Sequence, residues 1–93
     1  MEIIKNGNVI TITGNIKNMN DANKLNETLK EFRSGNSVTI KIIDSFAIPS
    51  AIIGILLKKL EEDVNIKLEV GNNILYEVLD DLNLIKKLNV TKI

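Results

Sequence analysis

Apolar and polar residues alternate along Val38-Thr39-Ile40-Lys41-Ile42 and again along Asn65-Ile66-Lys67-Leu68-Glu69-Val70. A period of two puts one face of each run in a core and the other in water, so residues 38–43 and 66–70 are expected strands. Two shorter β-prone runs, residues 2–5 and 9–13, precede them and are joined through Asn6-Gly7, a dipeptide whose tolerance of positive φ suits a type I′ hairpin turn. From Asn20 the period changes. Ala22, Leu25, Leu29 and Phe32 form a helical stripe, with Asn20 or Asp21 as N-cap and Gly35 beyond the end. Residues 49–62 predict a second helix of about 14 residues, about 21 Å long. Pro49 suits its first position, where a missing N–H is no loss. Ile52, Ile53, Leu56, Leu57 and Leu60 make its inward stripe, while Ala51, Gly54 and Lys58 point outward and Ile55 lies at the margin. A third helix over residues 73–82 starts at an Asn72 or Asn73 cap and is expected to pack Leu75, Val78, Leu79 and Leu82. A β-prone segment, residues 87–92, closes the chain.

The order is β-β-α-β-α-β-α-β with short connections, which predicts a hairpin followed by right-handed parallel crossovers. A doubly wound fold would bury both faces of its central strands and show continuous apolar runs; the alternation here puts helices mainly on one face of a mixed sheet. No repeat, low-complexity tract or linker interrupts the plan. The expected fold is a single α/β domain over residues 1–93.

Composition narrows the chemistry. The 93 residues include 12 basic and 12 acidic side chains, a net charge of zero, so no basic excess speaks for nucleic acid or an anionic membrane. The longest apolar run, residues 51–57, is broken at Gly54 and ends at Lys58-Lys59, far short of the roughly 20 residues that span a bilayer. No signal peptide shows in the opening residues, and with no cysteine there is no disulfide framework to argue for secretion, so a cytoplasmic location is expected. The absence of His and Cys removes the usual base near neutral pH, the thiolate nucleophile and the preferred zinc ligands. Glycines at 7, 14, 35, 54 and 71 are isolated, so no phosphate loop exists. Glu61-Glu62-Asp63 and Asp80-Asp81 fall at helix C-terminal halves and read as solvated charge. No catalysis, cofactor or metal is expected.

Several stretches together resemble a STAS domain, the fold of bacterial anti-sigma-factor antagonists. They are ITITGNI before a capped helix, VTIKIID before a short turn, PSAIIGILLKKLEE, VNIKLEV, and NNILYEVLDDLNLIKKLNV. The resemblance covers nearly the whole chain, with Gly14 at the family's glycine after the second strand. It implies a protein-interaction module of a partner-switching pathway whose partner is an anti-sigma factor or a serine kinase. The second implied role is a cytoplasmic accessory subunit of a membrane lipid or anion transport complex, since STAS domains also occur there. The family's phosphorylated motif, Asp-Ser-Ser-Gly or Asp-Ser-Ala-Gly, falls on Ile48, Pro49, Ser50 and Ala51 when aligned on the following helix. Its acidic residue and first serine are then missing. With a one-residue gap, Ser50 takes the phosphorylated position and Pro49 that of the aspartate. Either way the serine switch is altered or lost. Asp44-Ser45 imitates the motif about one helical turn too early.

The candidate phosphorylation sites are therefore Ser50 and Ser45. For each, a local role competes: Ser50 as a first-turn residue bonding nearby backbone, and Ser45 with Asp44 as an Asx or Ser turn ending the strand. The expected contact surface comprises Asp44, Ser45, Phe46, Ile48, Pro49, Ser50, Ala51, Gly54, Ile55 and Lys58. Phe46, Ala47 and Ile48 either form an apolar tip in solvent or plug the core. As one of only two phenylalanines, Phe46 is expected inside. Gly54 is the sharpest signal, because a mid-helix glycine costs about 1 kcal/mol relative to alanine and is usually retained for a close approach.

Overall fold

The computed structural model describes all 93 residues, Met1 to Ile93. In chain order the elements are β1 (Glu2–Asn6), β2 (Val9–Thr13), α1 (Met19–Leu29), β3 (Ser37–Ile42), α2 (Ser50–Glu61), β4 (Asn65–Val70), α3 (Asn73–Asp81) and β5 (Val90–Lys92). They build a five-stranded sheet in the order β1-β2-β3-β4-β5, in which β1 is antiparallel to β2 and every later pair is parallel. Each parallel connection moves the chain one strand in the same direction across the sheet. Right-handed crossovers that never reverse direction leave all their helices on the same face.

Register turns sequence alternation into layers. Ile10, Ile40, Leu68 and Val90 lie in one cross-strand row, and Ile12, Ile42 and Val70 in the next. All are buried beneath the helices, against Ala22, Leu25 and Leu29 of α1, Ile52 and Leu56 of α2, and Leu75 and Leu79 of α3. The intervening row, Thr11, Lys41, Glu69 and Thr91, lies on the opposite face, where no helix covers it. There Lys41 and Lys67 both reach Glu69, at 3.8 and 3.5 Å. The expected mixed sheet with helices on one face is the observed architecture.

Differences from the expected elements have local causes. The hairpin loop is Gly7-Asn8, because Asn6 pairs with Val9; Gly7 has φ 65° while Asn8 stays at negative φ, the pattern of a II′ turn rather than I′. Helix α1 begins before Asn20. Asn18 is its N-cap, accepting the Asp21 N–H at 3.2 Å, while the Asp21 carboxylate accepts the Lys17 N–H at 2.8 Å, a reciprocal arrangement like a capping box. That bond is the main reason the Asp21 carboxyl is held below its ordinary value. Pro49 is the N-cap of α2 rather than its first helical residue. Its ψ of 146° is extended, and its carbonyl accepts the N–H groups of Ile52 and Ile53 at 2.9 and 3.4 Å.

Burial also departs from helical phase alone. Only Ile52 and Leu56 of α2 are fully enclosed, with Ile53, Leu57 and Leu60 half-buried. In α3 only Leu75 and Leu79 go inside; Val78 and Leu82 remain 39% and 52% exposed. The reason is lateral. Helices α1 and α2 pack on each other, whereas α3 packs on β4 and β5 and has no helix beside it. The last strand is shorter than residues 87–92 because the chain first turns through 85–89, burying Leu84 and Leu88, and enters β5 through Asn89 at φ 51°.

Candidate functional site

The loop between β3 and α2 is shaped by two polar side chains. Asp44 Oδ1 accepts the Gly14 N–H at 2.7 Å. Ser45 Oγ accepts the Ile16 N–H at 3.2 Å and donates to the Ala47 carbonyl at 2.7 Å. Both bonds to residues 14 and 16 run to the loop between β2 and α1, so this pair of residues stitches two neighbouring strand-to-helix turns together. Ser45 is fully buried by that role. It is therefore neither part of an exposed contact surface nor open to phosphate, and in place of the expected Asx or Ser turn Asp44 and Ser45 accept the N–H groups of residues 14 and 16, with only the Ser45 bond to Ala47 local. Asp44 itself remains exposed at the rim.

Turning Ser45 inward turns its neighbour out. Phe46 is 53% exposed, against the expected burial, while the other phenylalanine, Phe32, is in the core. Ala47 is exposed as well, and Ile48 and Pro49 are half-buried as the chain enters α2. The loop thus presents an aromatic ring in solvent beside the start of a helix. Ser50, the first residue of α2, is exposed. No side chain caps this helix end and its first turn holds no acidic residue, whereas Asn18 caps α1 and Asn72 caps α3. Lys58 and Lys59 in the last turn complement the helix dipole at the other end.

On the outer side of α2, Ala51, Gly54, Ile55 and Lys58 line an open groove of about 450 Å³. Its other wall is α1, through Asn26 and Lys30, and Lys59 and Glu62 complete it. A Cβ built on Gly54 would meet nothing within 4 Å. Nothing inside the fold requires the glycine. The groove is tied down at its base, since Lys59 Nζ lies 3.4 Å from Glu62 Oε1 and 3.3 Å from the Phe32 carbonyl.

The structure therefore brings together Phe46, Ile48, Pro49 and Ser50 at one end of α2, and Ala51, Gly54, Ile55 and Lys58 along its flank. Ser45 is withdrawn from both. Asn26 and Lys30 were not singled out in the sequence. Their spacing of four places them on one face of α1, but only the tertiary packing of α1 on α2 reveals which face borders the groove. The acidic residues Glu61, Glu62, Asp63, Asp80 and Asp81 are all exposed, as solvated charge should be.

No model of a protein family matches the sequence, and no curated protein matches it. Among solved structures, the NMR structure of the protein TM1081 matches 97% of this chain and 78% of that one, with a TM-score of 0.64 at 18% identity. At that identity the likeness is one of fold, and it agrees with the α/β architecture of a mixed sheet with helices on one face expected from the sequence.

Proposed function

We propose that this chain is a non-catalytic, cytoplasmic protein-interaction module that works as anti-sigma-factor antagonists do, docking a partner through the β3–α2 loop and the outer flank of α2. The observation that carries the reading is Gly54. It sits inside a helix of 12 residues, weakens that helix by about 1 kcal/mol relative to alanine, and answers to no contact within the fold. A close approach from outside supplies the reason for a bare backbone there. Exposed Phe46, in the loop that leads into the same helix, adds the kind of aromatic anchor that protein interfaces favour.

The partner in this reading is an anti-sigma factor or serine kinase, and Ser50 is the residue on which a switch would act. A phosphate there, at roughly −2 charge, would be favoured by the uncapped α2 terminus and would oppose docking against Ala51 and Phe46. With Ile48 and Pro49 in place of the motif's usual residues, that switch is altered or lost. No helix of the chain is long and apolar enough to cross a membrane.

Affinity purification from the native cell, with mass spectrometry of the bound proteins and of Ser50, tests this. A kinase or anti-sigma factor that binds the native chain and not Gly54→Arg, with the variant folded by circular dichroism, is the expected result. Recovery of a transport ATPase would favour the accessory-subunit role. Neither partner nor phosphate under growth or stress would overturn the proposal.

A further inference from the structure

The sheet ends at β1 in an edge that nothing occupies, and the hydrogen bonds of its neighbours fix which groups that edge offers. The carbonyls of Asn8 and Ile12 accept the N–H groups of Thr39 and Ile43, at 2.9 and 3.0 Å, so the even-numbered residues of β2 turn toward β3. Val9, Thr11 and Thr13 must then turn toward β1, where their register partners are Asn6, Ile4 and Glu2. Ile3 and Lys5 are left with N–H and C=O pointing away from the sheet. None of the loop, turn or side-chain bonds elsewhere in the fold reaches them.

A lysine on an edge strand ordinarily guards it against pairing. Here the guard is drawn aside. Lys5 Nζ lies 2.7 Å from Glu31 Oε1 and 5.9 Å from the centre of the Phe32 ring, over the helix-bearing side. The opposite edge, β5, has only three residues, two of which are the exposed Thr91 and Lys92. Of the two edges, β1 is the one built to accept a strand.

We propose that a second copy of this chain adds to β1, antiparallel, about a two-fold axis through Ile4. In that register Ile3 faces Lys5 of the other copy, and each such pair can exchange both its N–H and its C=O. Ile4, 56% exposed, then meets its own counterpart as a non-hydrogen-bonded pair, the closer of the two antiparallel spacings, at about 4.5 Å between Cα atoms. Centring on Lys5 would oppose two like charges, and centring on Ile3 would set Glu2 against Ile4. Only the Ile4 register gives the exposed Ile4 side chain an apolar partner. Because the joined area is small, the association is a weak one. It leaves the α2 flank free, so Gly54→Arg does not disturb it.

The chain has no cysteine, which allows a direct test on the full-length protein. Ile4→Cys should form a disulfide-linked dimer under mild oxidation, since that spacing suits the bond, while Thr11→Cys and Thr91→Cys should not. Sedimentation of the native chain across a concentration series should show reversible dimerisation, and Ile4→Glu should raise the dimer dissociation constant by at least about tenfold by placing like charges opposite each other. A chain that stays monomeric up to about 0.5 mM, near the weak limit of specific association, overturns the proposal. So does a dimer unaffected by Ile4→Glu, or cross-linking through Thr91→Cys in place of Ile4→Cys.

Discussion

Ser45 and Gly54 lie nine positions apart in one loop-helix segment, and substitution of each by alanine should move stability in opposite directions. Ser45→Ala removes the acceptor of the buried Ile16 N–H and the donor to the Ala47 carbonyl. Leaving a buried donor unsatisfied costs about 1–3 kcal/mol. Gly54→Ala adds a methyl group into open space on an exposed helical position and removes the conformational freedom of glycine in the unfolded chain. It should stabilise by about 0.5–1 kcal/mol. Urea denaturation of both variants measures the two signs, and a destabilised Gly54→Ala would mean that the fold itself, rather than an external partner, needs the glycine. The sequence could show that both residues were unusual. It could not show which was inside, because the inward turn of Ser45 depends on Ile16, a residue 29 positions away. The exposure of Phe46 follows from that same turn and was hidden for the same reason.

Helices and strands were legible from their periods, and their ends were not. The period of two in β3 and β4 and the helical stripe of α1 are properties of each segment alone, so they survive without knowledge of neighbours. Where α1 begins is a competition among Asn18, Asn20 and Asp21, decided by which side chain reaches a free N–H; Asn18 wins because Asp21 is already engaged by Lys17. Burial on α3 depended on the absence of a flanking helix, which phase cannot report. Strand ends hide tighter constraints. Gly71, one of five scattered glycines in the sequence, follows β4 where the chain crosses the end of β3 and donates its N–H to the Ile42 carbonyl at 2.8 Å. A Cβ at this position would run into the backbone carbonyl oxygen of Ile43. Backbone cannot step aside as a side-chain tip can, so Gly71→Ala should destabilise by about 1–3 kcal/mol, the usual range for overpacking, and lower the urea midpoint accordingly. An unchanged midpoint would show that the β3 and β4 ends are free to separate.

At the scale of the molecule, winding in one direction leaves a layer of helices over one face of the sheet and makes the strands unequal. Strands β3 and β4 are paired on both sides and carry Ile40, Ile42, Leu68 and Val70 into the core. Strand β1 is paired on one side and β5 is short. Opening free energies should follow that order, since the central ladder can open only with the whole fold, whereas the edges can open locally. Native-state hydrogen exchange in dilute protein should therefore find the amides of Ile40 and Lys67, both directed into the β3–β4 ladder, among the slowest. The finer expectation concerns β1, where exchange should alternate along a single strand. Ile4 and Asn6 direct their N–H groups to β2 and should be protected, whereas Ile3 and Lys5 direct theirs outward and should exchange quickly. Raising the protein concentration should slow Ile3 and Lys5 while leaving Ile4 and Asn6 nearly unchanged, because only the outward groups gain partners when a second copy joins. Uniform exchange along β1 at every concentration would contradict the assignment of its free edge.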